Sequence, residues 1–131
     1  MKNSKVLKGY LLLAGLLLSF IGASTLLMPV EMKATGGMDI AGEVGILNDV
    51  RASSALLLSM AILAISGVFS QKLTYTSSLV SAILFLALGS GRLISIIADG
   101  MPAEGLLGAT FIEFLFGIAG IIFFLIYREK K

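Results

Sequence analysis

The stretch Gly105-Leu-Leu-Gly-Ala-Thr-Phe-Ile-Glu113-Phe-Leu-Phe-Gly-Ile-Ala-Gly-Ile-Ile-Phe-Phe-Leu-Ile-Tyr127 carries one charge, Glu113, in a run that is otherwise apolar or small. A helix rises about 1.5 Å per residue, so this run is long enough to cross the ~30 Å hydrocarbon core of a bilayer. A carboxylate in such a run is costly unless it is neutral, paired or turned toward a wet cavity. The same residue therefore marks a membrane protein and a candidate site.

Working outward, no charge falls in residues 9–30, 52–71 or 73–91. Four spans follow, at about 9–29, 50–70, 74–98 and 103–127, with an outer loop at 30–49 and one domain over 1–131. The runs show no alternation of apolar and polar residues, which excludes barrel strands. The expected fold is an all-α membrane protein, an antiparallel four-helix transmembrane bundle. Composition agrees: the 131 residues are 57% hydrophobic and 14% charged, with a mean hydropathy of +1.01. A soluble domain carries roughly 25% charged residues. The first span could also be read as a signal peptide, with Lys2, Lys5 and Lys8 as a basic region and Ile21-Gly-Ala-Ser24 as a cleavage site. Against that, its apolar character continues through Leu26-Leu-Met28 to a spanning length.

Charge asymmetry sets the orientation. The N-terminus, the Gln71-Lys72 turn and the tail hold Lys2, Lys5, Lys8, Lys72, Arg128, Lys130 and Lys131 against Glu129 alone. The other two connections hold Lys33 alone against Glu31, Asp39, Glu43, Asp49, Asp99 and Glu104. The positive-inside rule places both termini in the cytoplasm, giving a multi-pass membrane protein. The bases at span ends are explained by topology, so no nucleic-acid partner is expected.

Cysteine, histidine and tryptophan are absent. Thiolate and imidazole metal sites, His-ligated haem, disulfides and Cys or His nucleophiles are thereby excluded, and no metal or cofactor is expected. No serine sits in a recognisable elbow or beside a base, so an enzyme is not expected either.

The polar residues within the spans are few. Asn48 reads as the N-cap of the second span, with Asp49 on its positive end. Arg51 in that first turn opposes the helix dipole, so it either snorkels to outer headgroups or pairs with Asp99, Glu104 or Glu113. Arg92, Ser95 and Asp99 share one face of the third span, with Arg92 about 9 Å from its end. Gly100 ends that helix, and Pro102 suits the first turn of the next. Glu113 lies roughly 14 Å into the fourth span, on a stripe with Gly105, Ala109, Gly117 and Gly120. A charge left alone in hydrocarbon costs at least about 3 kcal/mol, so Arg92 and Glu113 are expected to meet. A small-residue stripe of Gly15, Ser19, Gly22 and Ala23 on the first span suits close helix packing. The outer loop, with Gly36, Gly37, Gly42 and Gly45 among apolar residues, is expected to form a compact cover with at most one short amphipathic turn.

The combination Asn48-Asp-Val-Arg51-Ala52, Gly91-Arg-Leu-Ile-Ser95, Asp99-Gly-Met-Pro102 and Glu113 resembles a bacterial family of short four-span membrane proteins catalogued as a domain of unknown function. The resemblance runs from the first to the last span and is weakest in the outer loop. It implies a four-helix membrane bundle and no established activity, and it draws attention to Asn48, Arg51, Arg92, Asp99 and Glu113. The expected role is a binding or accessory module in which Asn48, Arg51, Arg92, Ser95, Asp99 and Glu113 form a charged network or hold a lipid-like ligand in the outer half of the bundle. The partners would be the bilayer, a lipid or amphipathic small molecule, and a second copy or larger membrane complex. The alternative is a proton-coupled exporter working as a homodimer, with Glu113 as the proton-binding carboxylate.

Overall fold

The computed structural model describes residues 1–130; Lys131, counted above in the basic tail, lies outside the described residues. Among the described residues five helices form in chain order: α1 (Lys5–Leu27), α2 (Pro29–Ala34), α3 (Val44–Phe69), α4 (Gln71–Asp99) and α5 (Glu104–Tyr127). α1, α3, α4 and α5 are each long and apolar enough to cross a membrane. Large apolar side chains such as Leu13, Phe20, Ile62, Ile97 and Phe111 cover the outside. In water such a surface would aggregate; in a bilayer it faces solvent of its own kind. The protein is a helical membrane bundle.

The helix ends differ from the sequence reading in four places. α1 starts at Ser4, whose Oγ accepts a hydrogen bond from the Leu7 amide at 3.2 Å. Lys5 and Lys8 thus lie inside the helix, where their long stems can run along it to the interface. Pro29 does not merely stop α1 but opens α2, where its missing N–H would be unsatisfied anyway. α3 begins at Val44, so Asn48 is an exposed mid-helix residue and not an N-cap. Gly42, at φ +78°, makes the turn before it, and Gly45 alone costs about 1 kcal/mol, too little to end a helix. Gly100 closes α4 at φ +103° as expected, but Pro102 precedes the Ala103 cap of α5 and lies outside the helix.

The helices pack as a curved row: α1 on α3, α3 on α4, α4 on α5. α1 also meets α5, more thinly. That closure is made at the end holding the termini. There the Tyr10 hydroxyl donates to the Phe116 carbonyl at 2.7 Å, and the Lys2 amide donates to the Tyr127 carbonyl at 2.8 Å. Small residues set the seams. A Cβ on Gly22 of α1 would stand 2.9 Å from the Leu58 nitrogen of α3. Between α3 and α4 the Ser77 hydroxyl donates to the Leu63 carbonyl at 2.7 Å. Among the described residues no buried side-chain polar atom lacks a partner, as a lipid environment demands. Ala14, Leu18, Ala61 and Phe85 form the central apolar cluster.

Candidate functional site

At the end away from the termini, α1 and α5 are not pinned together, and a cavity of about 390 Å³ lies between them. Leu18, Leu57 and Phe85 line it, as do Ile21 of α1 and Ile112 of α5. Ile21 and Ile112 are also exposed, 36% and 41%, so the cavity reaches the outer surface between these two helices. α2 and the turn after it lie over this end of the cavity. Lys33, Gly36 and Met38 line the cavity from there, and Gly36 abuts Leu106 of α5. The connection expected over 30–49 is shorter, since α3 takes its last residues, and its first part is the short helix α2.

Two charges sit on the wall. α4 and α5 approach closely because glycines face bulk across the seam: Gly89 meets the Phe114 ring, and a Cβ on Gly117 would lie 3.0 Å from the Leu86 nitrogen. In that register Arg92 of α4 reaches Glu113 of α5. The Arg92 Nε donates to both carboxylate oxygens, at 2.9 Å each. Glu113 is buried, while 37% of the Arg92 side chain remains accessible. Among the described residues, Nη1 and Nη2 of Arg92 have no hydrogen-bond partner within the protein. Arg92 also borders a second hollow of about 420 Å³, lined in part by Gly91, Ser95, Pro102 and Thr110.

The other residues singled out by sequence stand apart from this pair. Ser95 donates from its hydroxyl to Asp99 Oδ2 at 2.9 Å, one turn along α4, and both are exposed. Arg51 is exposed and donates from Nη1 to the Leu26 carbonyl. It thereby caps the C-terminal, negative end of α1, where a cation is favourable. Asn48 is exposed on α3. The six-residue network is thus corrected to one buried ion pair, one surface Ser–Asp pair and two residues elsewhere. Asp99 lies at the exposed end of α4 and Arg51 is satisfied by a carbonyl at the end of α1, so neither needs the buried pair.

Sequence reasoning missed Lys33 as a site residue. Its signal was present: it is the single base against six acids in the two connections on its side. Burial, and next the Arg92 guanidinium, push the Lys33 ammonium below the usual lysine range. Lys33, Arg92 and Glu113 are the titratable residues lining the cavity, so its wall carries two cations and one anion. Among the described residues no three His, Cys, Asp or Glu side chains gather to hold a metal. The arrangement is chemically an apolar slot with a cationic rim.

No curated protein and no solved structure matches the chain. Residues 6–124 match the family described as domain of unknown function DUF4345, and with nearly all of its four spans, its Arg92–Glu113 pair and its covered cavity inside that match, the chain belongs to this family.

Proposed function

We propose that the protein is a binding or accessory module of the bacterial cytoplasmic membrane, with both termini in the cytoplasm, and that it holds an amphipathic, lipid-like molecule between α1 and α5. The acyl part lies against Leu18, Leu57 and Phe85, and the polar or acidic head lies at Arg92 and Lys33. The carrying observation is that Arg92 spends only Nε on Glu113, leaving two amino groups beside an apolar cavity. A guanidinium presents paired donors suited to an acidic head. Glu113 fixes the guanidinium and lowers the expense of keeping it in hydrocarbon.

The test is mass spectrometry of lipids retained after gentle detergent extraction. Wild type is expected to keep a stoichiometric lipid, and Arg92→Ala to lose it. Wild type emerging empty, or Arg92→Ala retaining the same molecule, would sink the reading and leave the pair with a structural role only.

A further inference from the structure

We infer that the crevice takes a single-chain amphiphile with a singly charged head, of the long-chain carboxylic acid class, its carboxylate lying between Arg92 and Lys33. This rests on the ligand-binding reading above and narrows it by charge, by head geometry and by volume.

Charge comes first. The cavity is lined by three titratable groups, Lys33 from the α2 cover, Arg92 from α4 and Glu113 from α5. Glu113 already answers one cation through Arg92. One positive charge is left over, and Lys33 feels both burial and the field of Arg92, which together lower its proton affinity. A monoanion between the two bases cancels that excess. A dianionic phosphate monoester would leave a net negative charge in a medium that screens it poorly. A neutral head leaves Lys33 unanswered.

Geometry agrees. The free Nη1 and Nη2 of Arg92 form a fork that a carboxylate accepts side by side. The second hollow also touches Arg92, but among the described residues no other charged one lines it. The head is therefore assigned to the covered side.

Volume decides the number of chains. A methylene is about water-sized, and a water's share of liquid is about 30 Å³. The 390 Å³ cavity then holds on the order of a dozen methylenes. That is one acyl chain, with any excess length passing between Ile21 and Ile112. A diacyl lipid would leave most of itself outside.

The test uses delipidated full-length protein in detergent and compares radiolabelled palmitate, hexadecanol, lysophosphatidate and phosphatidylglycerol by scintillation proximity. Palmitate is expected to saturate one site, with hexadecanol weaker by about tenfold or more. Lys33→Met is expected to weaken palmitate binding by a similar factor, and Lys72→Met, at the opposite end, to leave it unchanged. Arg92→Gln risks stranding Glu113, so the Arg92→Gln/Glu113→Gln double variant, which strands neither member of the pair, is the matched probe and is also expected to lose palmitate. Equal binding of palmitate and hexadecanol overturns the anionic head. Preference for lysophosphatidate or phosphatidylglycerol overturns the monocarboxylate class while leaving a lipid-like ligand standing. Saturable binding of none of the four overturns both readings.

Discussion

At the scale of single residues, Glu113 is the position where a substitution elsewhere is felt most. It is buried, and among the described residues its only charged partner is Arg92. Arg92→Ala leaves the carboxylate without an ion pair, and the expected loss is about 3 kcal/mol, read as a lowered thermal midpoint in detergent. Arg92→Met with Glu113→Met removes both charges and is expected to recover most of it; no recovery would mean the loss came from packing. Arg51→Ala costs at most about 1 kcal/mol, the worth of a cation at a helix C-terminus, and leaves retained lipid unchanged. Lys33 behaves in the opposite sense. Its proton affinity is below the ordinary value, so the charged form is disfavoured in the folded, empty protein. Its contribution to stability therefore rises as pH climbs through that lowered value toward the usual lysine pKa of about 10.4. Lys33→Met is accordingly expected to raise the melting temperature of the empty protein near neutral pH; a fall would contradict the penalty. The Arg92–Glu113 contact was legible because an unpaired charge in hydrocarbon is so expensive that few alternatives survive. Arg51 was not legible, because its neighbour, the last turn of α1, is distant in sequence.

Among the elements, glycines act by what they abut. Gly22→Ala would drive a methyl to 2.9 Å from the Leu58 nitrogen, which is backbone and cannot swing aside. Parting α1 from α3 is expected to cost about 1–3 kcal/mol. Gly91→Ala meets nothing within 4 Å, and helix propensity predicts a gain of up to about 1 kcal/mol. Thermal unfolding of the two variants is expected to move in opposite directions. The small stripe at Gly15, Ser19, Gly22 and Ala23 was readable as a packing face, but its partner α3 was not, since spacing along one helix says nothing of which neighbour it faces. The start of α3 was misread for a related reason. Four glycines in the loop argue against helix on propensity, yet only Gly45 falls inside α3, and a single unfavourable residue is outweighed by the helix that follows.

For the molecule as a whole, the four spans were plain from charge spacing alone, because hydrocarbon tolerates so few charges that their absence is itself a signal. Orientation is open to direct measurement. The chain has no cysteine, so a single one at Lys33 or Lys72 is a clean reporter. A membrane-impermeant maleimide added outside spheroplasts is expected to label Lys33→Cys and to spare Lys72→Cys; the reverse pattern would invert the topology. The bundle is also shut unevenly. Tyr10 and the chain ends hold α1 to α5 at one end, while Ile21 and Ile112 flank a slot at the other. On the binding reading proposed above, a slot facing sideways would be supplied from the leaflet, so its occupancy would follow the mole fraction of amphiphile among the surrounding lipids. Diluting loaded vesicles a hundredfold into buffer would then leave it filled, whereas fusing them with lipid lacking the amphiphile would empty it.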